Sequence, residues 1–206
     1  NDFIKTLFIV MGIMTILTGA FGAVIKNNIR RLFSYLIVCH IGFIIGGLGL
    51  YTKLAFIGAI FYLIHDIIVK TNLFLISGLI QQLRGTMNMS RLGGLYAGYP
   101  KLSLLIAIVL FSLAGIPPLS GFWPKIYLID AAYVGENYFL IAAIIIGSFV
   151  TLIMVAKMWS EVFWKDASTE KPLTDAFKLL STLKKTMLVL PIGILAMTTL
   201  FMGLNA

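Results

Sequence analysis

The chain has 206 residues, of which 60% are hydrophobic and only 12% charged, with a mean hydropathy of +1.00. Soluble chains run about half apolar and about a quarter charged, so this balance makes a bilayer the solvent and excludes a cytoplasmic enzyme, a secreted disulfide scaffold and a disordered tail. The net charge of +8 does not indicate nucleic acid, because Lys and Arg form no single basic stripe with interleaved aromatics.

A helix rises about 1.5 Å per residue through about 30 Å of hydrocarbon, so roughly 20 mainly apolar residues make one crossing. Six segments pass this test, at about 3–25, 32–50, 54–80, 102–134, 138–164 and 186–204. The first opens at Asn1 without an initiator Met and is too long and weakly flanked for a signal peptide, so the chain reads as part of a longer protein. The second holds Cys39, read as a small core residue, and His40, which is either a hydrogen-bonded packing histidine or a relay group. Its Gly46, Gly47 and Gly49 suit close helix packing.

The third segment carries His65, Asp66 and Lys70, and the spacing of four puts Asp66 and Lys70 on one helix face. Ionisable groups at bilayer depth are costly and usually functional. Desolvation favours the neutral amine of a buried lysine and a neighbouring carboxylate favours the charged one, so such a pair suits a switchable proton relay. A structural ion pair is the competing reading.

The fourth segment, with 33 residues, is too long for one straight crossing and contains Gly115, Pro117, Pro118, Gly121 and Pro124, followed at once by Lys125. It reads as one helix broken near 115–124. Broken helices expose carbonyls and amides that are tolerated at membrane depth only inside protein or a wet cavity, and transporters place ion sites there. A Pro-kinked packing helix is the alternative. Asp130 is either the partner of Lys125 or a headgroup-zone residue. In the fifth segment Lys157 pairs by spacing with Glu161, and snorkelling to the interface accounts for both, with Trp159, Phe163 and Trp164 as an aromatic belt. The connection 165–185 is long and mixed in charge, with a short surface helix expected through Phe177 to Leu180.

With six crossings, one face receives Lys26, Arg30, Arg31, Arg84, Arg91, Lys101, Lys165, Lys171, Lys178, Lys184 and Lys185, whereas the other receives Lys5 and Lys53. The positive-inside rule then makes the basic loops cytoplasmic and puts both chain ends outside, in a single multi-pass domain of the cell membrane over 1–206. No cofactor is expected: two histidines and one cysteine at unrelated spacings give no zinc or haem ligand set, and there is no phosphate loop.

Three stretches carry a resemblance to a known family. They are Asn28-Ile-Arg-Arg-Leu-Phe-Ser-Tyr through His40-Ile-Gly-Phe, His65-Asp-Ile-Ile-Val-Lys70 through Ile80, and Ala114 through Lys125. In order and spacing they resemble the proton-translocating antiporter-like subunits shared by complex I and the Mrp multisubunit sodium/proton antiporters. The wording Pro117-Pro-Leu-Ser-Gly-Phe-Trp-Pro-Lys125, with Ile68-Val-Lys-Thr, is similar to the Mrp branch. Members of this family have about fourteen helices built from two inverted repeats of five. The resemblance implies that the first five segments form the second repeat and the sixth a terminal helix.

By the same resemblance, Lys125 matches the lysine at the helix break that hands protons outward. Lys70 and His40 match positions on the central hydrophilic axis, and His65 with Asp66 its histidine-rich approach. Asp66 stands where many relatives have a second His. Arg30 stands where relatives often have Lys, and holds its proton too firmly to relay it. The implied function is that of an ion transporter subunit, not an enzyme. It would move protons in a hetero-oligomeric Na+/H+ antiporter through Lys70, Lys125, His65, Asp66 and His40, with Asp130, Arg30, Lys157 and Glu161 as secondary groups. The alternatives are the homologous proton-pumping subunit of NADH:quinone oxidoreductase, and a structural membrane scaffold.

Overall fold

A computed structural model of the chain describes residues 2–166 and 181–205. The surface helix expected near Phe177 to Leu180, and the cations Lys171 and Lys178, lie outside the described residues. Among the described residues the regular structure is helical: α1 (Asp2–Val24), α2 (Ile29–Gly49), α3 (Lys53–Arg84), a 3₁₀ turn at Met89–Arg91, α4 (Leu95–Gly98), α5 (Pro100–Ala114), α6 (Trp123–Val134), α7 (Tyr138–Trp159) running into a π-helical turn at Ser160–Trp164, and α8 (Thr182–Leu204). Five of these stretches are long and apolar enough to cross a membrane: α1, α2, α3, α7 with its π turn, and α8. The fourth expected segment is interrupted as its glycines and prolines suggest, with α5 and α6 separated by 115–122.

Helix ends are set by caps rather than by the limits of the apolar runs, so several helices outrun the expected boundaries. The Asn28 side chain accepts from the Arg31 amide and starts α2 at Ile29, and Thr52 caps α3 through the Ala55 amide. The polar Gln81, Gln82 and Arg84 continue α3 until Gly85 stops it in the left-handed region at φ 68°.

In a bilayer, helices associate through close packing of small residues rather than through the hydrophobic effect. The α1–α2 seam follows this rule. A Cβ on Gly12 would lie 2.6 Å from the Gly46 Cα, one on Gly42 would lie 2.6 Å from the Ile16 amide nitrogen, and one on Gly19 would strike the Cys39 backbone. Gly46, Gly47 and Gly49 admit Leu140 of α7, Leu128 of α6 and Ile9 of α1, so each serves close packing as expected. Cys39 is wholly buried in this seam. Two apolar clusters result. One joins Phe33, Leu36, Leu73, Ile76, Ile80, Leu110 and Phe163, and the other Ile16, Phe43, Tyr62, Leu128, Leu140 and Ile144. The outer face of α3 stays apolar and exposed at Ile57, Ile60, Leu63, Ile64 and Ile67, as contact with lipid or another protein requires.

Gly19→Ala in the full-length protein is expected to cost about 1–3 kcal/mol by forcing α1 off α2. Gly78, which has nothing within 4 Å of a built Cβ, should accept Ala without loss. Thermal unfolding of the two detergent-solubilised variants checks the contrast, and equal melting temperatures would contradict the packing account.

Candidate functional site

Between the two apolar clusters lies a set of buried polar side chains: His40 from α2, His65, Asp66, Lys70 and Asn72 from α3, Ser112 from α5, Ser120 from the break, Lys125 from α6, Thr151 from α7 and Thr199 from α8. Helices from across the bundle, and the break itself, thus converge on one polar layer. The pattern in α3 explains part of this: positions 62, 65, 66, 69, 70 and 73 recur at helical spacing and are all buried, so the helix turns its ionisable residues inward with its packing residues.

His40 is the hub. Its Nδ1 lies 3.0 Å from Asp66 Oδ1 and its Nε2 3.4 Å from Thr151 Oγ1. Thr151 also donates its hydroxyl to Gly147 O at 2.8 Å. The same carboxylate oxygen of Asp66 stands 3.8 Å from Lys70 Nζ, closing the pair expected from their spacing. Asp66 and Lys70 also line a groove with Ile37, Ile67, Thr71, Phe74 and Leu75 that opens on the outer side of α2 and α3. His40 itself is sealed, stacked on Phe43 at 5.5 Å and edge-on to Tyr62 at 5.6 Å.

Lys125 also stands over the Phe43 ring. Its Nζ lies 5.9 Å from the Phe43 ring centroid and donates to Ala114 O at 3.0 Å. Gly115, at φ 80°, ends α5, and a Cβ there would fall 2.8 Å from Lys125 Nζ, so the residue that terminates the helix also makes room for the amine. Lys125 therefore caps the carbonyl end of α5 while sitting in the first turn of α6, where the amide dipoles repel a cation. Its charged form is favoured by one half-helix and opposed by the other.

His65 joins the break to α8. Its Nδ1 is hydrogen-bonded to Ser120 Oγ at 2.8 Å, and Ser120 meets Ser112 at 3.2 Å and also Thr199, which in turn meets Ser112 at 2.7 Å. Asn72 Nδ2 donates to Ile192 O at 3.1 Å and Trp123 Nε1 to Gly203 O at 2.8 Å, so α8 is fastened along both α3 and the break. Among the described residues, Tyr62 Oη, His65 Nε2, Lys70 Nζ, Asn72 Oδ1 and Arg84 Nε are buried without a hydrogen-bond partner.

The structure therefore gathers His40, His65, Asp66, Lys70 and Lys125, and leaves the secondary candidates outside. Asp130 is exposed on α6, not paired with Lys125. Arg30 is exposed ten residues before His40, about 15 Å along α2, with Nε donating to Ser77 Oγ at 3.3 Å. The Lys157–Glu161 pair expected from spacing does not form: Glu161 bonds Lys165 at 3.2 Å and Lys157 reaches Asn27 Oδ1 at 3.4 Å. Glu161 turns forward instead, to Lys165 four residues on across the π turn at Ser160–Trp164. Sequence reasoning also misses Ser112, Ser120, Thr199, Thr151, Asn72 and Tyr62. Hydroxyl residues are common in membrane helices because they bond their own turn, as Thr15, Thr18 and Thr71 do. Position inside the break is a signal for Ser120 alone.

Membrane-length helices around an interrupted helix and a buried ionisable layer define a multi-pass membrane protein organised on an internal charged axis. The chain belongs to the NADH:quinone oxidoreductase/Mrp antiporter transmembrane family, whose pattern matches residues 1–151. It is 38% identical to a Na(+)/H(+) antiporter subunit of Alkalihalophilus pseudofirmus, over 99% of this chain and 40% of that protein. It is 35% identical to a putative antiporter subunit, mnhD2, of Staphylococcus epidermidis, over 98% of this chain and 39% of the relative. The chain thus spans about two fifths of the length of these curated relatives. Among solved structures it superposes on the Mrp complex from Dietzia sp. DQ12-45-1b with a TM-score of 0.84 at 26% identity, covering 98% of this chain and 44% of that one. It superposes equally on respiratory complex I from Thermus thermophilus, TM-score 0.84, covering 97% of this chain and 40% of that one; at 22% identity this second likeness speaks to the fold alone.

Asp66→Ala strips a partner from both His40 and Lys70 and is expected to destabilise by about 3–5 kcal/mol, the usual cost of leaving one member of a buried ion pair alone. Lys70→Met in the same background should recover part of that loss. A double-mutant cycle on thermal unfolding measures the coupling, and additive effects would mean that the pair contributes nothing.

Proposed function

We propose that the chain forms a proton-translocating part of the membrane subunit of an Mrp-type Na+/H+ antiporter, working with other subunits of that complex as an ion transporter and not as an enzyme. The observation that carries this reading is Lys125: a buried lysine at the break of a helix, held by one backbone carbonyl and set between opposed half-helix ends beside two histidines and an Asp–Lys pair. Lone structural charges do not need such company at bilayer depth. Protons would pass along Lys70, Asp66, His40, His65 and Lys125, joined by water where side chains do not touch, each group's charge biasing its neighbour's. The apolar clusters on either side would act as barriers, so that transfer depends on those charges.

In this reading α5 and α6 together make a discontinuous sixth crossing. The whole described chain is then one transmembrane domain that repeats the second inverted unit plus a terminal helix. The basic loops face the cytoplasm and both ends face outward, in the cell membrane. The antiporter reading is preferred to a complex I subunit because the curated relatives at 33–38% identity are antiporter subunits. The scaffold reading accounts for the bond of Lys125 to Ala114 O but not for the two histidines and the Asp–Lys pair gathered with it.

The test is sodium-dependent collapse of an imposed pH gradient by the full-length subunit in its native complex, reconstituted into vesicles. Lys125→Ala and Lys70→Ala should each lower exchange about a hundredfold or more while the complex still assembles, in keeping with the loss of a positioned proton-transfer group. Exchange retained in an assembled variant removes that lysine from the relay. Wild-type vesicles that ignore sodium favour the complex I subunit, and Met variants that lose stability but keep transport favour the scaffold.

A further inference from the structure

His65 is met on one nitrogen by a closed ring of hydroxyls. Four contacts link the group: His65 Nδ1 to Ser120 Oγ at 2.8 Å, Ser120 to Ser112 at 3.2 Å, Ser112 to Thr199 at 2.7 Å, and Thr199 to Ser120. All four residues are buried. Each hydroxyl carries one proton to donate and has lone pairs to accept with, whereas neutral imidazole offers one donor and one acceptor nitrogen.

Counting protons decides the tautomer. If Ser120 donates to a bare Nδ1, only the Ser112 and Thr199 protons remain for the three contacts within the ring, and one contact is left without a proton. If Nδ1 carries the proton and donates it to Ser120, the three hydroxyl protons run once round the ring and all four contacts are filled. The ring therefore favours the second arrangement, and which nitrogen of a histidine is protonated is set by the bond that the other makes. The free lone pair then belongs to Nε2, the nitrogen with no partner among the described residues. It faces Gly121, where an added Cβ would stand 3.0 Å away, in the same break that holds Lys125.

We infer that Ser112, Ser120 and Thr199 are positioning residues that fix His65 as an acceptor through Nε2, and that α8 thereby belongs to the proton path. Because the ring is closed and has no acceptor beyond it among the described residues, it holds the Nδ1 proton and does not conduct. A proton arriving at Nε2 gives the imidazolium, with both nitrogens protonated, and the same proton leaves again from Nε2, restoring the neutral ring. His65 is thus a one-sided acceptor facing the break, not a pass-through wire toward α8. The value of this arrangement to transport rests on the relay function proposed above.

Removing the Thr199 hydroxyl leaves two hydroxyl protons and two contacts, Ser112–Ser120 and Ser120–His65. Both tautomers then satisfy the contacts equally, and the preference vanishes. The experiment compares Thr199→Val, Thr199→Ser and Lys125→Met with wild type in the full-length subunit within its complex, by sodium-dependent collapse of a pH gradient in vesicles. Thr199→Val keeps the shape and branching of threonine, and its exchange should fall roughly threefold to tenfold, the scale of one net hydrogen bond. Thr199→Ser returns the hydroxyl without the methyl group and should restore exchange to within about twofold of wild type. Ser112→Ala opens the ring from its other side and decides by the same criterion if Thr199→Val fails to assemble.

Wild-type exchange in Thr199→Val, or equal loss in the Val and Ser variants, overturns the positioning role, the latter because packing and not the hydroxyl would then matter. Lys125→Met separates the two levels: if it exchanges normally the relay itself is wrong, whereas its loss beside an active Thr199→Val removes only the ring.

Discussion

A helix interrupted inside a bundle of apolar helices leaves carbonyls and amides in need of partners, and part of this bundle is arranged around meeting that need. The break at 115–122 turns its own first groups back on themselves, through Ile116 N to Phe111 O and Leu119 N to Ile116 O. Elsewhere Ala114 O accepts from the ammonium of Lys125, the Ser120 side chain bonds His65 and Thr199, and the backbone of 118–120 packs directly on the bare face of Gly203. One part of the polar layer, Lys125 with His65 and the hydroxyls of Ser112, Ser120 and Thr199, gathers at this break.

The same need explains why α8 packs where it does. An apolar helix gains little by leaving lipid for other apolar helices, so association in membranes rests on close fit and on hydrogen bonds. The contacts of α8 are of these two kinds. Asn72 reaches its backbone at Ile192, next to Pro191, and Thr199, Gly203 and Trp123 gather at the break. This helix is fastened to α3 and to the break in three places, at Asn72, Thr199 and Trp123.

Much of the fold is legible from composition and periodicity. Long apolar runs predict the five membrane-length helices, and the cluster of Gly115, Pro117, Pro118, Gly121 and Pro124 marks the interruption, because few other residue combinations end and restart a helix so abruptly. The ionisable members of the site are equally visible, since a charge in a greasy run needs an explanation. Hydroxyl and amide groups are not: Thr151, Thr199 and Ser112 look like any other membrane serine or threonine until the helices that carry them are brought together. Helix boundaries and the partner of Lys157 escape sequence reasoning for one reason. Both are local geometry, a cap in the first case and in the second the turn of Glu161 forward to Lys165 rather than back to Lys157.

At the basic end of the bundle the chain is stitched across itself. Met89 N donates to Asn27 O, Ile29 N to Met87 O and Gly94 N to Lys165 O, and the Lys165 ammonium reaches Ser90 O. The link that follows α3 is thereby sewn to the turn before α2 and to the end of α7, the three helices that carry Asp66 with Lys70, His40 and Thr151. Sliding any one of them along its axis would tear these stitches. The layer is thus held at a fixed gauge, as the span of a bridge is held by its abutment, and what remains free to move is small: a lysine arm, a hydroxyl rotor, a proton.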